Sequence, residues 1–172
     1  SLLTDTYTRA KVIGQEFGPD PIDPEYTYIS GDLTPGYTEN KVSEVRRSMM
    51  FMPTENKEAP AVFFVMDKIV SKNKSFKKSF LLHTMTEPAV EGNVTTIKRT
   101  EDGRNGKLTV QTLYPKNPDI EIIGGVNRQW EIFGTNYPPG GDYNPKTIGQ
   151  NLELGWGRIE IKPMEASDTT EF

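Results

Sequence analysis

The sequence predicts an all-β fold, a two-sheet antiparallel β-sandwich. Apolar residues recur with a period of two rather than 3.6, and β-branched and aromatic residues fill runs that are bounded by glycine, proline and asparagine. Short strands at regular spacing are typical of two packed antiparallel sheets. The predicted strands cover residues 9–17, 26–31, 41–52, 61–70, 76–85, 93–100, 107–114, 120–123, 128–133 and 157–163.

Turn residues separate these strands in chain order. Prolines and glycines exclude a regular ladder from residues 18–24, and a proline turn at 53–56 divides the third strand from the fourth. Turn residues at 101–106 and 116–119 bound the seventh strand, and a second proline-rich segment at 134–145 follows the ninth. Each strand is therefore short enough to pair with a neighbour in an antiparallel sheet.

The pattern inside each segment predicts its position in the sheets. Residues 107–114 alternate apolar with polar, as expected for a strand with one buried face. Residues 61–66 are apolar on both faces, which predicts a position in the middle of a sheet. Residues 34–41 form the only segment that could hold a short helix.

Length and composition limit the function classes. The 172 residues suit one domain, and the formal net charge of −4 argues against a protein whose whole surface is adapted to nucleic acid. The chain has no cysteine, so disulfides, thiolate nucleophiles and cysteine zinc sites are excluded. No apolar run approaches the ~20 residues of a membrane-spanning helix. The chain starts at Ser1 without the features of a signal peptide, and we expect a fragment or a mature product.

Asp67 and His83 form the first candidate site. Asp67 ends an apolar strand, and His83, the only histidine, lies on the next strand candidate. A hairpin could bring the carboxylate and the imidazole together as zinc ligands, with Glu44 as a third. The alternative is a buried hydrogen bond in which the carboxylate fixes the tautomer of the ring.

Basic residues form the second candidate site. Residues 68–78 contain five lysines and no acid, and Lys72 and Lys74 are the candidates for binding an acidic polysaccharide. The alternative is a solvated hairpin whose lysines discourage aggregation of strand edges. Arg46 and Arg47 are adjacent in a predicted strand and point to opposite faces, so at most one of them, Arg46 in our assignment, lines a substrate surface.

Aromatic residues around the second proline-rich segment form the third candidate site. Flat rings in a loop can stack on the faces of sugars, and Trp130 and Tyr137 are the candidate binding residues. The other members of this set are Phe133, Tyr143 and Trp156. The alternative is that these rings hold a long loop onto the sheets.

No catalytic residue is predicted. The sequence has no Ser/His/Asp set, no phosphate-binding glycine loop and no paired-carboxylate motif. Seven tyrosines are present, but none lies in a motif that assigns it the role of a general base.

Six segments in order resemble the β-sandwich half of the heparinase II/III-like polysaccharide lyases. They lie within residues 22–163 and read YISGDLT at 28–34 with Tyr37, VRRSMMFMP at 45–53, FFVMD at 63–67, FLLHT at 80–84, LTVQTLYP at 108–115 and IGG at 123–125. The resemblance implies an enzyme with a helical (α/α) toroid that carries the tyrosine base and a C-terminal β-sandwich that closes the cleft. If the resemblance holds, we expect this chain to contain only the second part.

The resemblance also implies a substrate class and a metal. Lyases of this type cleave acidic, uronic-acid-containing polysaccharides such as heparin and heparan sulfate by β-elimination, and bacteria export them to the periplasm or the medium. Some hold a structural zinc through an aspartate and two histidines, of which Asp67 and His83 match two. A histidine that faces the cleft is absent around residues 45–47, which leaves His83 for any such role.

The sequence therefore supports three hypotheses. The first is the β-sandwich domain of such a lyase, inactive without its toroid, with acidic polysaccharide and the toroid as its partners. The second is a stand-alone carbohydrate-binding module that uses the aromatic loop. The third is a structural sandwich without a ligand.

Overall fold

The computed structural model describes residues 10–100, 103–138 and 155–172. All strand pairs in these ranges are antiparallel, and the predicted all-β class is confirmed. In these ranges the strands are β1 (Lys11–Gly18), β2 (Tyr26–Asp32), β3 (Val42–Pro53), β4 (Ala61–Ser71), β5 (Phe80–Thr84), β6 (Ala89–Glu91), β7 (Val94–Arg99), β8 (Gly106–Gln111), β9 (Pro118–Gly124), β10 (Glu131–Ile132), β11 (Thr135–Asn136), β12 (Gly157–Pro163) and β13 (Thr169–Glu171). The described residues contain no helix that is long and apolar enough to cross a membrane.

The chain divides into two compact units. Unit 1 comprises Ser1–Lys78 and Glu165–Phe172, and unit 2 comprises Ser79–Met164. Unit 1 holds one five-stranded sheet in the order β1-β2-β3-β4-β13. Its centre is the long β3–β4 hairpin, whose register aligns Pro53 with Ala61 at the turn and Arg47 with Asp67 further along the strands.

The described residues of unit 2 form three small sheets. These have the strand orders β5-β12-β9, β6-β7-β8 and β10-β11. β12 is the central strand of the first sheet, and Ile159 on β12 pairs with Leu82 on β5 and with Ile122 on β9. Ile159 is almost fully buried because apolar side chains flank it on both sides of the same sheet face. The core of unit 2 is therefore built around β12.

Most predicted strands form, with changes at their ends. The segment predicted at 76–85 is a strand only from Phe80, and the one at 128–133 shortens to Glu131–Ile132. The possible helix at 34–41 is a single 3-10 turn at Thr34–Gly36, which has a proline in its first turn. β6, β11 and β13 were not predicted, because strands of two or three residues are too short to show a period.

The prediction that residues 61–66 lie in the middle of a sheet is wrong. β13 pairs with β4 only from Lys68 to Val70, and backbone hydrogen bonds between Asp67 and Phe172 extend this pairing by one residue. Among the described residues, the rest of β4 pairs only with β3 on its other side. The apolar run is therefore an edge, and most of its side chains are exposed.

Candidate functional site

A cavity in unit 2 brings two of the sequence candidates together. Its volume is about 260 Å³, and His83 and Trp130 both line it. The rest of the lining consists of Thr84, Met85, Gln129, Gly155 and Gly157. Residues that carry an indole, an imidazole and an amide thus line the same cavity.

His83 reaches this cavity from β5. In the pairing with β12, His83 lies directly opposite Arg158, so both side chains project from the same sheet face. Arg158 is buried and forms an ion pair with Glu160, with a distance of 2.7 Å between Arg158 Nη2 and Glu160 Oε1. His83 itself is exposed, so its ring is open to a ligand.

Trp130 is held by the β10–β11 hairpin. Its backbone N–H donates to Asn136 Oδ1 at 3.0 Å, and its carbonyl accepts from the backbone N–H of Tyr137 at 3.2 Å. The hairpin turns at Phe133 and Gly134, which both have positive φ, as a two-residue turn of type I′ requires. Trp130 and Tyr137, which the sequence placed in one aromatic surface, are thus linked through their backbones.

Trp156, which lies in the chain between the two lining glycines Gly155 and Gly157, has a structural role. Its ring packs over Gly124, where a Cβ atom would lie 2.5 Å from ring carbon Cε3. Its backbone N–H donates to Thr84 O at 2.9 Å, and its carbonyl accepts from Gly125 N–H at 2.8 Å. A Cβ atom on Gly157 would overlap the carbonyl oxygen of Ile123. For Trp156, the structure favours the reading in which an aromatic ring fixes a loop.

Charged side chains near Arg158 are already paired. Arg128 Nε lies 2.8 Å from Glu131 Oε2, and this hydrogen bond lowers the pKa of the Glu131 carboxyl, with the charges of Arg128 and Arg158 as smaller causes. Lys162 lies 2.7 Å from Glu121, and that hydrogen bond raises the pKa of Lys162. The basic side chains of these three ion pairs are therefore already engaged. A preference for acidic ligands would have to come from His83 or from other basic residues.

Asp67 has a partner that the sequence analysis missed. Arg47 binds it through two hydrogen bonds, from Nε to Oδ1 at 2.7 Å and from Nη2 to Oδ2 at 2.6 Å. Asp67 is buried in unit 1, whereas His83 belongs to unit 2. The turn carried the missing signal, because extending a hairpin register from the pair Pro53 and Ala61 places Arg47 opposite Asp67.

The zinc that the resemblance implies does not fit the described residues. No group of three His, Cys, Asp or Glu side chains in these ranges could hold a metal ion. Both oxygens of Asp67 accept hydrogen bonds from Arg47. Glu44, the third ligand considered, forms ion pairs with Arg46 at 2.8 Å and with Lys68 at 3.0 Å. The carboxylates of Asp67 and Glu44 are thus already bound by basic side chains.

The lysine-rich segment at residues 68–78 contains both exposed lysines and a buried, hydrogen-bonded one. Lys72 and Lys74 are exposed in the loop after β4, and the backbone N–H of Lys72 donates to Lys41 O at 2.9 Å. Lys78 is buried, and its Nζ donates to Ser71 Oγ and to Phe76 O, each at 3.1 Å. Burial lowers the pKa of Lys78. Lys72 and Lys74 keep the exposure that binding a polyanion requires, whereas Lys78 anchors the loop.

The remaining candidates are placed as follows. Arg46 lies on β3, largely exposed, beside Glu44, and Arg47 points to the opposite face. Tyr137 and Phe133 are exposed on or next to the β10–β11 hairpin. Tyr143 lies outside the described residues.

Comparison of the sequence with models of known protein families and with curated proteins returns no match. The segments that carry the resemblance lie on or beside β2, β3, β4, β5, β8 and β9.

Proposed function

We propose that this chain is the β-sandwich part of a polysaccharide lyase of the heparinase II/III type, and that its cavity at His83 and Trp130 binds one sugar unit of an acidic polysaccharide. The observation that carries the proposal is the meeting of these two side chains in one cavity of about 260 Å³. Sites for drug-sized ligands span ~300–1,000 Å³, so this cavity suits a single ring rather than a chain of sugars.

The lining assigns a role to each side chain. The indole of Trp130 offers a flat apolar surface to the C–H face of a pyranose. Gln129 offers hydrogen bonds to hydroxyl groups, and His83 can donate to a hydroxyl or a carboxylate. β-Elimination also needs a base for the carbon-5 proton and a group that neutralises the neighbouring carboxylate. The proposal places the tyrosine base on the helical toroid, so the isolated chain is inactive.

A binding panel tests the proposal. Oligosaccharides from heparin, from alginate and from a neutral glucan are titrated into the chain at low and high salt. We expect the acidic ligands to bind in a salt-sensitive manner and the neutral one to bind weakly. His83→Ala should weaken binding of the acidic ligands at every salt concentration.

A lyase assay is the second arm of this test. The chain alone should release no unsaturated uronate from heparin or alginate, as followed by ultraviolet absorbance. Turnover by the isolated chain would contradict the placement of the base on the toroid. In keeping with this family, the proposal places the protein in the periplasm or outside a bacterial cell.

A second candidate function is a stand-alone carbohydrate-binding module. The exposure of Phe133 and Tyr137 favours it, because exposed rings on or next to one hairpin can form a platform for neutral sugars. Binding of the neutral glucan that is lost in Tyr137→Ala and insensitive to salt would favour the module over the lyase domain.

A further inference from the structure

Two lysines face each other on one side of the β6-β7-β8 sheet in unit 2. Lys98 on β7 lies directly opposite Lys107 on β8 in the strand register, and both residues are exposed. The backbone N–H of Thr112 donates to Asn93 O at 2.8 Å, which makes these two residues a hydrogen-bonded pair. Because hydrogen-bonded and non-hydrogen-bonded pairs alternate along an antiparallel ladder, Lys98 and Lys107 form a non-hydrogen-bonded pair. The side chains of such pairs approach each other most closely.

This arrangement of charges is unfavourable in the free protein. Like charges directly opposite each other destabilise an antiparallel strand pair. Among the described residues neither lysine forms an ion pair, although Glu87 precedes β6 and Glu91 lies on the same sheet face. Protection of a sheet edge accounts for a lysine on β8, which is an edge strand, but not for Lys98 on the central strand β7. The pair is suited to a ligand that brings negative charge.

The same sheet face continues with polar side chains. Thr96 lies opposite Thr109 in the next pair on this face, and Gln111 follows on β8. Thr109 and Gln111 are exposed, and Thr96 is partly exposed. Residues two positions apart on a strand are separated by ~6.7 Å, so these groups form a row that continues from the lysines. Hydroxyl and amide groups in such a row can hydrogen-bond the hydroxyl groups of an extended sugar chain.

The charge of this part of the chain is opposite to that of the whole. Residues 92–117 contain five basic and two acidic residues, a net charge of +3, whereas the chain has a net charge of −4. The two acidic residues, Glu101 and Asp102, lie outside the described residues. A local positive charge on an acidic protein attracts a polyanion to one place and leaves the remaining surface repulsive. This favours a short stretch of an acidic polysaccharide over a ligand that covers much of the surface.

We propose that Lys98 and Lys107 together bind one sulfate or carboxylate group of an acidic polysaccharide, and that Thr96, Thr109 and Gln111 bind hydroxyl groups of the adjoining sugars. The choice of ligand rests on the proposed function, but none of these residues lines the cavity at His83 and Trp130. An anion between two ammonium groups replaces their repulsion with two charge-assisted hydrogen bonds.

Chemical-shift mapping by nuclear magnetic resonance tests the proposal on the wild-type chain. A heparin-derived tetrasaccharide should shift the amide signals of residues 96–98 and 107–109. Shifts at these residues without shifts at His83 and Trp130 would contradict the cavity but support this surface. Shifts at the cavity alone, or at neither place, would overturn the present proposal. An alginate tetrasaccharide, which has carboxylates and no sulfates, shows which anionic group the lysines bind.

Variants measure the contribution of the lysine pair to affinity. Lys98→Gln/Lys107→Gln should raise the Kd for the heparin tetrasaccharide at low salt at least ~5-fold, as expected for two exposed ion pairs. It should also reduce the slope of log Kd against log salt concentration by about 1–2, as for lysine contacts to other polyanions. Lys11→Gln/Lys57→Gln is the matched control, because it removes the same charge from exposed positions in unit 1. Equal losses in the two double variants would overturn the proposal.

A single charge reversal separates binding from stability. Lys98→Glu places an opposite charge across from Lys107, so it should unfold at a higher urea concentration than Lys98→Gln while losing the heparin-induced shifts at residues 107–109. Retained shifts in Lys98→Glu would overturn the proposal, and a lower urea midpoint than that of Lys98→Gln would contradict the repulsion on which it depends. Equally tight binding of a single-stranded DNA with the same charge as the tetrasaccharide would overturn the assignment to a polysaccharide.

Discussion

Removal of Arg47 should destabilise unit 1 more than removal of its partner Asp67. The Arg47 side chain is 40% exposed, whereas that of Asp67 is 9% exposed. Arg47→Met leaves a charged carboxylate with little access to water, and Asp67→Leu leaves a guanidinium that can reach water. The two substitutions break the same ion pair, but the charged groups that remain differ in their access to water.

The expected magnitudes follow from this asymmetry. Removing one partner of a buried ion pair costs ~3–5 kcal/mol, and the partial exposure of Arg47 reduces this to about 3 kcal/mol for Arg47→Met. Asp67→Leu should cost about 1–2 kcal/mol, in the range of a charge-assisted hydrogen bond that water partly replaces. The double variant Arg47→Met/Asp67→Leu should cost less than about 1 kcal/mol, because a packed apolar pair can replace a buried ion pair.

Urea unfolding followed by circular dichroism measures these free energies. Both tryptophans, Trp130 and Trp156, lie in unit 2, so their fluorescence serves as a check on that unit. Arg47→Lys is the control, since it keeps the positive charge but loses the two-point contact, and it should cost less than Arg47→Met. Equal costs for Arg47→Met and Asp67→Leu, or additive costs in the double variant, would refute the reasoning.

Three further predictions concern packing and pH. Gly157→Ala should destabilise the protein by about 2–4 kcal/mol in urea unfolding, because the added Cβ atom overlaps a backbone carbonyl that cannot rotate away; a cost below 1 kcal/mol would contradict this close contact. A hydrogen bond from Arg128 lowers the pKa of the Glu131 carboxyl in the folded protein. The stability that this hydrogen bond adds to the fold is therefore present above the unfolded pKa of ~4.3, and it is lost as the pH falls through the lower pKa of the folded state. The difference in stability between wild type and Glu131→Gln should therefore narrow in acid, and a constant difference would exclude this pairing. Burial lowers the pKa of Lys78 in the folded protein, so the unfolded chain binds more protons at this residue. The stability of wild type relative to that of Lys78→Met should therefore rise with pH up to the unfolded pKa of ~10.4. A relative stability that falls with pH would contradict the burial of Lys78.

The fold class could be predicted from the sequence because most strands carry a clear period of two residues. The short strands β6, β11 and β13 could not, and the brevity of β13 made the apolar run at 61–66 an edge rather than a central strand. A strand that is buried between two neighbours and an exposed edge strand can have the same apolar pattern. Periodicity alone does not distinguish the two.

The candidate site was predictable in its parts but not in its assembly. Histidine and tryptophan were singled out for their chemistry, yet nothing in the sequence indicated that the hairpin of Trp130 would meet β5 at His83. The pairing of Asp67 with His83 failed for a different reason: strand order along the chain was used as a guide to contact, whereas hairpin register puts Arg47 opposite Asp67. Register from the turn is the signal that would have corrected it.

Calorimetric titration of a heparin-derived oligosaccharide into Trp130→Ala tests the central claim most directly. Phe133→Ala is the matched control, because Phe133 is 91% exposed on the same hairpin and does not line the cavity. We expect wild type and Phe133→Ala to bind alike, and Trp130→Ala to bind at least ~30-fold more weakly, the loss of ~2 kcal/mol expected of a central aromatic contact. Unchanged binding by Trp130→Ala, or no binding by the wild-type chain, would contradict the assignment of this cavity as a sugar site.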